Sequence, residues 1–466
     1  VASGKSWENA FNEATRVGQN MLQADPTNSA AYEALAKCYL SKSSYLVERG
    51  QDPQSTFDEV LKITQTAIEE KVASESVFNI AGNVYLEMGN YQVTKGLEPN
   101  KNYEQAITYF QKALEINPKD SKTYSYLARV YRVKAAYLSN FGADNDELLE
   151  KAIENYQKAI ALNLDSPAMA PNYARLANVY SLKLYQAIIK GQSPDIFLSK
   201  SVENYQKSIE LNPKYSSSYL YMGVDFATKA EYELLRKHNP QIWLEKAILN
   251  MEKALELSPE KVEVYKSIVF VYLVEIKWKV FTNKDPINAV EKAAKYINKS
   301  LSLNSGPGNQ ETYAYKINLE ILMARWKIQQ KLSPEEHFKQ AEETLNKALA
   351  IRQDDNFTLS LAIDLYQYWA KWQINNKNLP NNNFNKCLIM LKKFTELDPN
   401  SLILIAQEGA ILALQANLEK AEKNKILLLE KSIIKLEEAM KKDLSLVLEY
   451  EPILREAKEQ LLALSH

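Results

Sequence analysis

The amino-acid sequence predicts an all-α fold: a right-handed solenoid of antiparallel helix pairs, with a repeat of about 46 residues. Three observations carry that expectation. Prolines fall into two interleaved series, Pro26, Pro118, Pro213, Pro259 and Pro399, and Pro53, Pro99, Pro194, Pro240, Pro286, Pro334 and Pro380. Within each series the spacings sit at or near multiples of 46, and two combs of one period mean two turns per repeat. Between the turns run segments of 3.6-residue apolar periodicity with almost no Gly or Pro. Glycine is scarce, 12 in 466 residues, too few for a Gly-rich sandwich, barrel or phosphate-binding loop.

The second helix of each unit reads alike, as in YEQAITYFQKALEINP (103–118) and LEKAIENYQKAIALNL (149–164). Small residues recur seven apart, at Ala106/Ala113, Ala152/Ala159, Ser201/Ser208 and Ala247/Ala254. A bulky residue stands between them: Phe110, Tyr156, Tyr205 or Met251. Small side chains let two helices approach, and the bulky one fills the groove between them. Proline near the start of this helix forfeits an N–H that has no intrahelical partner. The first helix carries aromatics seven apart around a small pair, as in Tyr124-x-x-Leu127-Ala128-x-x-Tyr131 and Phe78-x-x-Ala81-Gly82-x-x-Tyr85. Gly50, Gly96, Gly142 and Gly191 are placed to end it in a left-handed conformation.

These residues resemble the tetratricopeptide repeat, with W-x-x-L-G-x-x-Y in the first helix, then A-x-x-x-F-x-x-A and a closing proline. The resemblance spans nearly the whole chain and departs from the family in one systematic way. Each unit is about 12 residues longer than the usual repeat of about 34. The excess lies in one place, because the last aromatic of helix one and the first small residue of helix two stand 21 apart, as in Tyr85 to Ala106 and Tyr131 to Ala152. The expectation is a longer first helix of about 20 residues, not a loop. Aromatics recurring inside the insert, Tyr45, Tyr91, Tyr137, Tyr232, Trp278 and Trp372, are expected to build an extra packed layer. Counting gives an N-terminal half repeat (1–28), nine helix pairs (29–442) and a C-terminal capping helix (443–466). In the seventh pair the unshifted register would bury Lys316 and Glu320. A two-residue slip onto Tyr315, Leu319, Leu322 and Trp326 avoids that desolvation and is the expected arrangement. The ninth pair, LILIAQEGAILAL, has lost its aromatics and is open to irregularity.

The long repeat also resembles the C-terminal repeat regions of bacterial serine/threonine protein kinases, on the stretches ERGQDPQSTFDEVLKITQTAIE, NFGADNDELLEKAIENYQKAI and IKGQSPDIFLSKSVENYQKSI. That resemblance implies a catalytic domain upstream. The chain has no initiator Met and opens in mid-pattern, so it is expected to be part of something longer.

Composition narrows the function. With 57 basic and 58 acidic residues the net charge is −1, which gives no basic footprint for nucleic acid or an anionic membrane. No apolar run approaches the ~20 residues of a membrane span, and no signal segment opens the chain, so a cytoplasmic location is expected. Kinase, P-loop and dinucleotide motifs are missing from the sequence, as are zinc-ligand spacings. The segment SGPGN (305–309) reads as a turn, Cys38 and Cys387 as structural, and His238 as a solvated turn residue. The expectation is therefore no enzyme, no cofactor and no metal.

What remains is the inner surface, which first helices line in tetratricopeptide folds. Slots one, five and eight residues after the first aromatic point into that groove. They nominate Lys37, Asn79, Asn83, Arg129, Arg132, Asn178, Val224 and Phe270 as candidate peptide-binding residues, polar early and apolar in the middle. Lys, Asn and Arg there resemble the carboxylate clamp by which some such domains hold an acidic chain end. The expected function is a non-catalytic protein–protein interaction scaffold that holds a peptide or protein in the groove. The alternative is a regulatory or substrate-recruiting region of a bacterial kinase. Oligomeric state stays open.

Overall fold

The computed structural model describes residues 4–139, 145–163, 166–303, 309–378 and 380–464. Among them are 20 α-helices, two short 3₁₀ turns and no strand. The chain divides into two compact units, 1–179 and 180–466. Unit 1 contains α1 (Gly4–Ala24), α2 (Ser29–Glu48), α3 (Gln54–Glu69), α4 (Glu75–Thr94), α5 (Asn100–Ile116), α6 (Ser121–Ser139), α7 (Asp146–Ala161) and the first half of α8 (Ala170–Ile189). Unit 2 continues with α9 (Asp195–Leu211), α10 (Ser216–Leu235), α11 (Gln241–Leu257), α12 (Val262–Phe281), α13 (Ile287–Leu303) and α14 (Gln310–Gln329). It ends with α15 (Glu335–Ile351), α16 (Asn356–Asn375), α17 (Asn381–Leu397), α18 (Leu402–Ala416), α19 (Glu422–Lys442) and α20 (Val447–Leu464). The fold is an all-α solenoid of helix pairs. Even-numbered helices from α2 to α18 are the first of each pair, and within each unit they touch the next first helix, as α2 does α4 and α12 does α14.

The extra residues lengthen helices. The first helices from α2 to α16 have 19 or 20 residues each; α18 has 15. Pro53, Pro99, Pro194, Pro240, Pro334 and Pro380 cap the second helices, and the Pro53 carbonyl accepts from the Thr56 and Phe57 amides. Gly50, Gly96 and Gly191 end first helices at φ near 70°; Gly142 lies outside the described residues. Further along, Lys237, Asn283, Lys331 and Lys377 take the same left-handed position without being glycine.

Small-to-bulky packing holds each pair together. Ala106, Phe110, Ala113 and their counterparts are fully buried. A methyl group on Gly82 would come within 2.6 Å of the Phe110 ring, and one on Gly223 within 2.9 Å of Met251. The ninth pair keeps this register: Gly409 takes the small slot against Leu436, between Ser432 and Ala439.

Two expectations are corrected. The insert aromatics form no continuous buried layer: Tyr45, Tyr91, Tyr137, Tyr232 and Trp372 are half-buried, and Trp278 alone of the six is buried. In α4 and α5 the buried insert contact is instead Gly89 under Tyr103. The seventh pair does not slip. Ile317 is fully buried in the small slot and Glu320 is buried in the aromatic slot, while Tyr315 and Trp326 are half-exposed. Burial of Glu320 is made tolerable by His337 of α15, whose Nδ1 lies 2.7 Å from Glu320 Oε2. In α10 and α11 the same two positions hold Phe226 and Trp243, stacked at 6.0 Å. A polar pair has replaced an aromatic one, and the register survives. No helix among the described residues is long and apolar enough to cross a membrane.

Candidate functional site

In unit 1 the nominated slots of the inner face carry polar side chains, and neighbouring helices engage two of them, Asn79 and Arg129. Lys37 is exposed and pairs with Glu33 one turn earlier, away from the rest. Asn79 donates to Thr123 Oγ1 at 2.7 Å and to Asp120 at 3.3 Å, tying α4 to the start of α6. Asn83 donates to the Asn79 carbonyl at 2.9 Å. The Asn79 amide is therefore occupied in holding two helices together, and that of Asn83 is spent within α4. Arg129 of α6 donates to Glu87 of α4 at 3.0 Å. Arg132, one turn on, has a buried Nε with no hydrogen-bond partner.

Beneath these arginines lies Tyr156 of α7, fully buried, whose hydroxyl also makes no well-formed hydrogen bond. Burial pushes its phenol up, against the pull of Arg132, Arg175 and Arg129. Nearby Tyr103 donates to Asn90 at 3.2 Å, and its phenol is pushed up to about 12 by burial and by Glu87. Arg175 of α8 was missed by the slot rule; its Nη1 donates to Asn172 at 3.2 Å. The result is a cluster of three guanidiniums over a buried hydroxyl, with Glu87 holding one of them. Guanidinium donors in a fork suit a carboxylate or a phosphate. Asn178 is half-buried.

Unit 2 differs. Val224 and Phe270 are half-buried on α10 and α12, and Lys266 pairs with Glu311 at 2.8 Å. On α16, Asp364 accepts from the buried Gln407 of α18 at 2.9 Å, and burial pushes its carboxyl up to about 7. Because the first helices are long, they present a further inner slot, 12 residues after the first aromatic position. That slot holds Lys277 on α12, Arg325 on α14 and Lys371 on α16, spaced 48 and 46 in sequence. The slot rule stopped at eight residues and missed this ladder. Continuing it into the insert would have found it.

The ladder is occupied by α20. Arg325 Nη1 lies 2.6 Å from Glu449 Oε2, and Tyr368 donates to the same carboxylate at 3.3 Å. Lys277 stands 3.9 Å from Glu449 and 3.7 Å from Glu231. Lys371 donates to Glu456 at 2.6 Å. The Arg325 guanidinium stacks on Phe281 and Tyr368, each 4.7 Å away. Burial pushes the Glu449 carboxyl up, but Arg325 and Lys277 outweigh it and hold it below its ordinary value. On its other side α20 packs on α18 and α19 through Tyr450 and Ala457. The terminal helix thus covers the last pair and also reaches across the inner face of α12, α14 and α16.

Cys387 is buried in its small-residue slot, where burial pushes its thiol up, and Cys38 is half-buried. His238 is exposed and lies 2.8 Å from Glu233. The described residues contain no group of three or more His, Cys, Asp or Glu able to hold a metal.

Comparison with known proteins bears on the repeat. Models of the tetratricopeptide repeat match residues 109–161 and 97–120. No curated protein matches the sequence. Among solved structures, human IFIT1, crystallised as a dimer with PPP-AAAA, is 17% identical over 99% of this chain and 86% of its own, with a TM-score of 0.48. A monomeric mutant of IFIT1 with m7Gppp-AAAA reaches 0.50 at 16% identity, covering 98% of this chain and 88% of its own. A thermophilic tetratricopeptide-repeat protein of Thermus thermophilus is 20% identical over 51% of this chain and 99% of its own, with a TM-score of 0.36. At such identities the likeness is one of fold. Residues 97–161 match the tetratricopeptide repeat, and the fold around them is an all-α solenoid.

Proposed function

We propose that the chain is a non-catalytic interaction scaffold, and that unit 1 holds an acidic peptide segment or chain end on Arg129, Arg132 and Arg175. The observation that carries this reading is the gathering of three guanidiniums about Tyr156, with Glu87 the one carboxylate hydrogen-bonded to any of them among the described residues. A bound carboxylate would take up guanidinium N–H groups that Glu87 leaves without an anionic partner. Asn178 belongs to the same face; Lys37, Asn79 and Asn83 would shape its approach, and Val224 and Phe270 would serve a separate apolar stretch in unit 2. A protein partner suits the net charge of −1 better than nucleic acid does. A cytoplasmic location goes with this reading.

A peptide-library screen tests it, with wild type set against an Arg129→Ala, Arg132→Ala double variant. Wild type should prefer acidic or free-carboxylate peptides, and the variant should lose that preference. Equal binding by both would end the clamp reading. PPP-AAAA, the ligand named for the IFIT1 structure, is the control, and tighter binding to it than to acidic peptides would replace the protein partner with nucleic acid. The second reading, a regulatory region of a bacterial serine/threonine kinase, rests on the three stretches that resemble such regions. The sequence encoded upstream of Val1 decides it.

A further inference from the structure

We propose that the cation ladder of unit 2 is a docking surface for an acidic amphipathic helix of a partner protein, and that α20 is the intramolecular ligand such a helix displaces. The proposal does not rest on the reading of unit 1.

Charge and spacing support it together. Lys277, Arg325 and Lys371 occupy one repeat slot on three successive first helices, so they recur at the separation of packed helices, about 8–10 Å. Glu449 and Glu456 of α20 are seven residues apart, about 10 Å along a helix. They therefore meet α14 and α16 in step: Glu449 at Arg325, Glu456 at Lys371. Any helix with carboxylates seven residues apart and an apolar opposite face carries the same match.

Toward α12, α14 and α16 the seat of α20 is polar, whereas Tyr450, Ile453, Leu454, Ala457 and Leu461 pack on α18 and α19. Among its residues Tyr450 and Ala457 are buried, whereas α18 buries eight. Pro452 stands inside the helix and removes one backbone bond. Its junction with α16 and α18 leaves a gap lined by Gln367, Ala413, Ile453 and Gln460. On the side of the ladder α20 is held by ion pairs over an incompletely filled seam, and that is the side on which another helix competes.

The test uses the full chain and a labelled peptide of residues 443–464 as probe. A Glu449→Gln, Glu456→Gln variant empties the ladder of its own carboxylates and should bind the peptide saturably. Wild type, whose competent state is a minor fraction, should bind at least about tenfold more weakly. Adding Arg325→Ala and Lys371→Ala to the variant should abolish binding. Equal affinity for wild type and variant, or no binding by either, overturns the proposal. Hydrogen exchange on the wild type guards against a variant that fails to fold. Raising salt from about 0.05 to 0.5 M screens the more exposed Lys371–Glu456 pair and should speed exchange across 447–464 several-fold, with 429–442 unchanged. Equal protection of the two segments at both salt levels makes α20 a fixed cap and defeats the idea.

Discussion

In unit 1 the inner arginines keep donors to spare: Arg129 shares Glu87, and Arg132 Nε bonds nothing. In unit 2 the inner cations are spent, because Arg325 and Lys371 each hold a glutamate delivered by α20. The helix pairs are alike in both units, so the scaffold does not decide whether a face is open. What decides it is whether the chain supplies its own counter-ion. A cation on an inner slot is thus a site only after its intramolecular partners have been counted.

The sharpest way to break the comparison is to remove one cation from each unit. Arg325→Ala leaves the half-buried Glu449 with Tyr368 at 3.3 Å and Lys277 at 3.9 Å, and should cost about 2–3 kcal/mol, the lower side of what breaking buried pairs does. Arg129→Ala breaks a half-exposed pair and should cost about 1 kcal/mol at most. Urea unfolding followed by circular dichroism reads both. A cost below about 1 kcal/mol for Arg325→Ala would place its pair with Glu449 in the same solvated class as the pair in unit 1.

Buried acids separate the units by pH. In unit 2 Asp225 is buried, accepts from Ser181 at 2.8 Å, and is pushed by burial up to about 7. The described acids of unit 1 that clearly move, Asp25, Glu33, Glu147 and Glu154, go down instead. A raised carboxyl binds its proton more tightly when folded. Its contribution is therefore full below the unfolded value of 3.8 and is lost as pH rises to about 7. Asp225→Asn should flatten the fall in stability between those values, with a gain at pH ~8 of up to about 4 kcal/mol. If the stability difference between wild type and Asp225→Asn stays constant with pH over that window, Asp225 is not protonated in the fold.

The seventh pair shows how far the sequence could be read. Periodicity located the helices, the lengthened first helix and the small-to-bulky packing, because each of those repeats. It failed at Glu320, where a rule against burying charge favoured a slip, because the compensating His337 lies on the next helix. Pairing across helices has no period to reveal it. The arginine cluster was half legible: Arg129 and Arg132 sit on slots, but Arg175 and Tyr156 join them only in space. The occupancy of unit 2 was not legible at all, since α20 meets helices more than 80 residues away, as in Tyr368 to Glu449, 81 apart. Replacing the polar pair by its aromatic counterpart, Glu320→Phe with His337→Trp, should be neutral or stabilising by about 1–2 kcal/mol, as hydrophobic replacement of buried ion pairs often is. A loss above about 2 kcal/mol would mean the pair specifies this junction in a way packing cannot replace.

The smallest expected effect is the most discriminating. Arg132→Ala removes a guanidinium whose Nε has no partner, so no hydrogen bond at that atom is lost. The side chain is half-buried, and its methylenes cover part of the inner face, so truncation gives up some packing. It also removes the cation beside the buried Tyr156 hydroxyl, whose phenol Arg132 holds down against the push of burial. These contributions together should lower stability by no more than about 1 kcal/mol, within the range of partly exposed substitutions. The same substitution should weaken acidic-peptide binding, because there Arg132 would be a principal donor. Stability and binding measured on one sample separate the two roles. A stability loss above about 2 kcal/mol, matching that of Arg325→Ala, would mean that Arg132 is committed to the fold as Arg325 is. The inner face of unit 1 would then have no more donor capacity to offer a ligand than the ladder of unit 2.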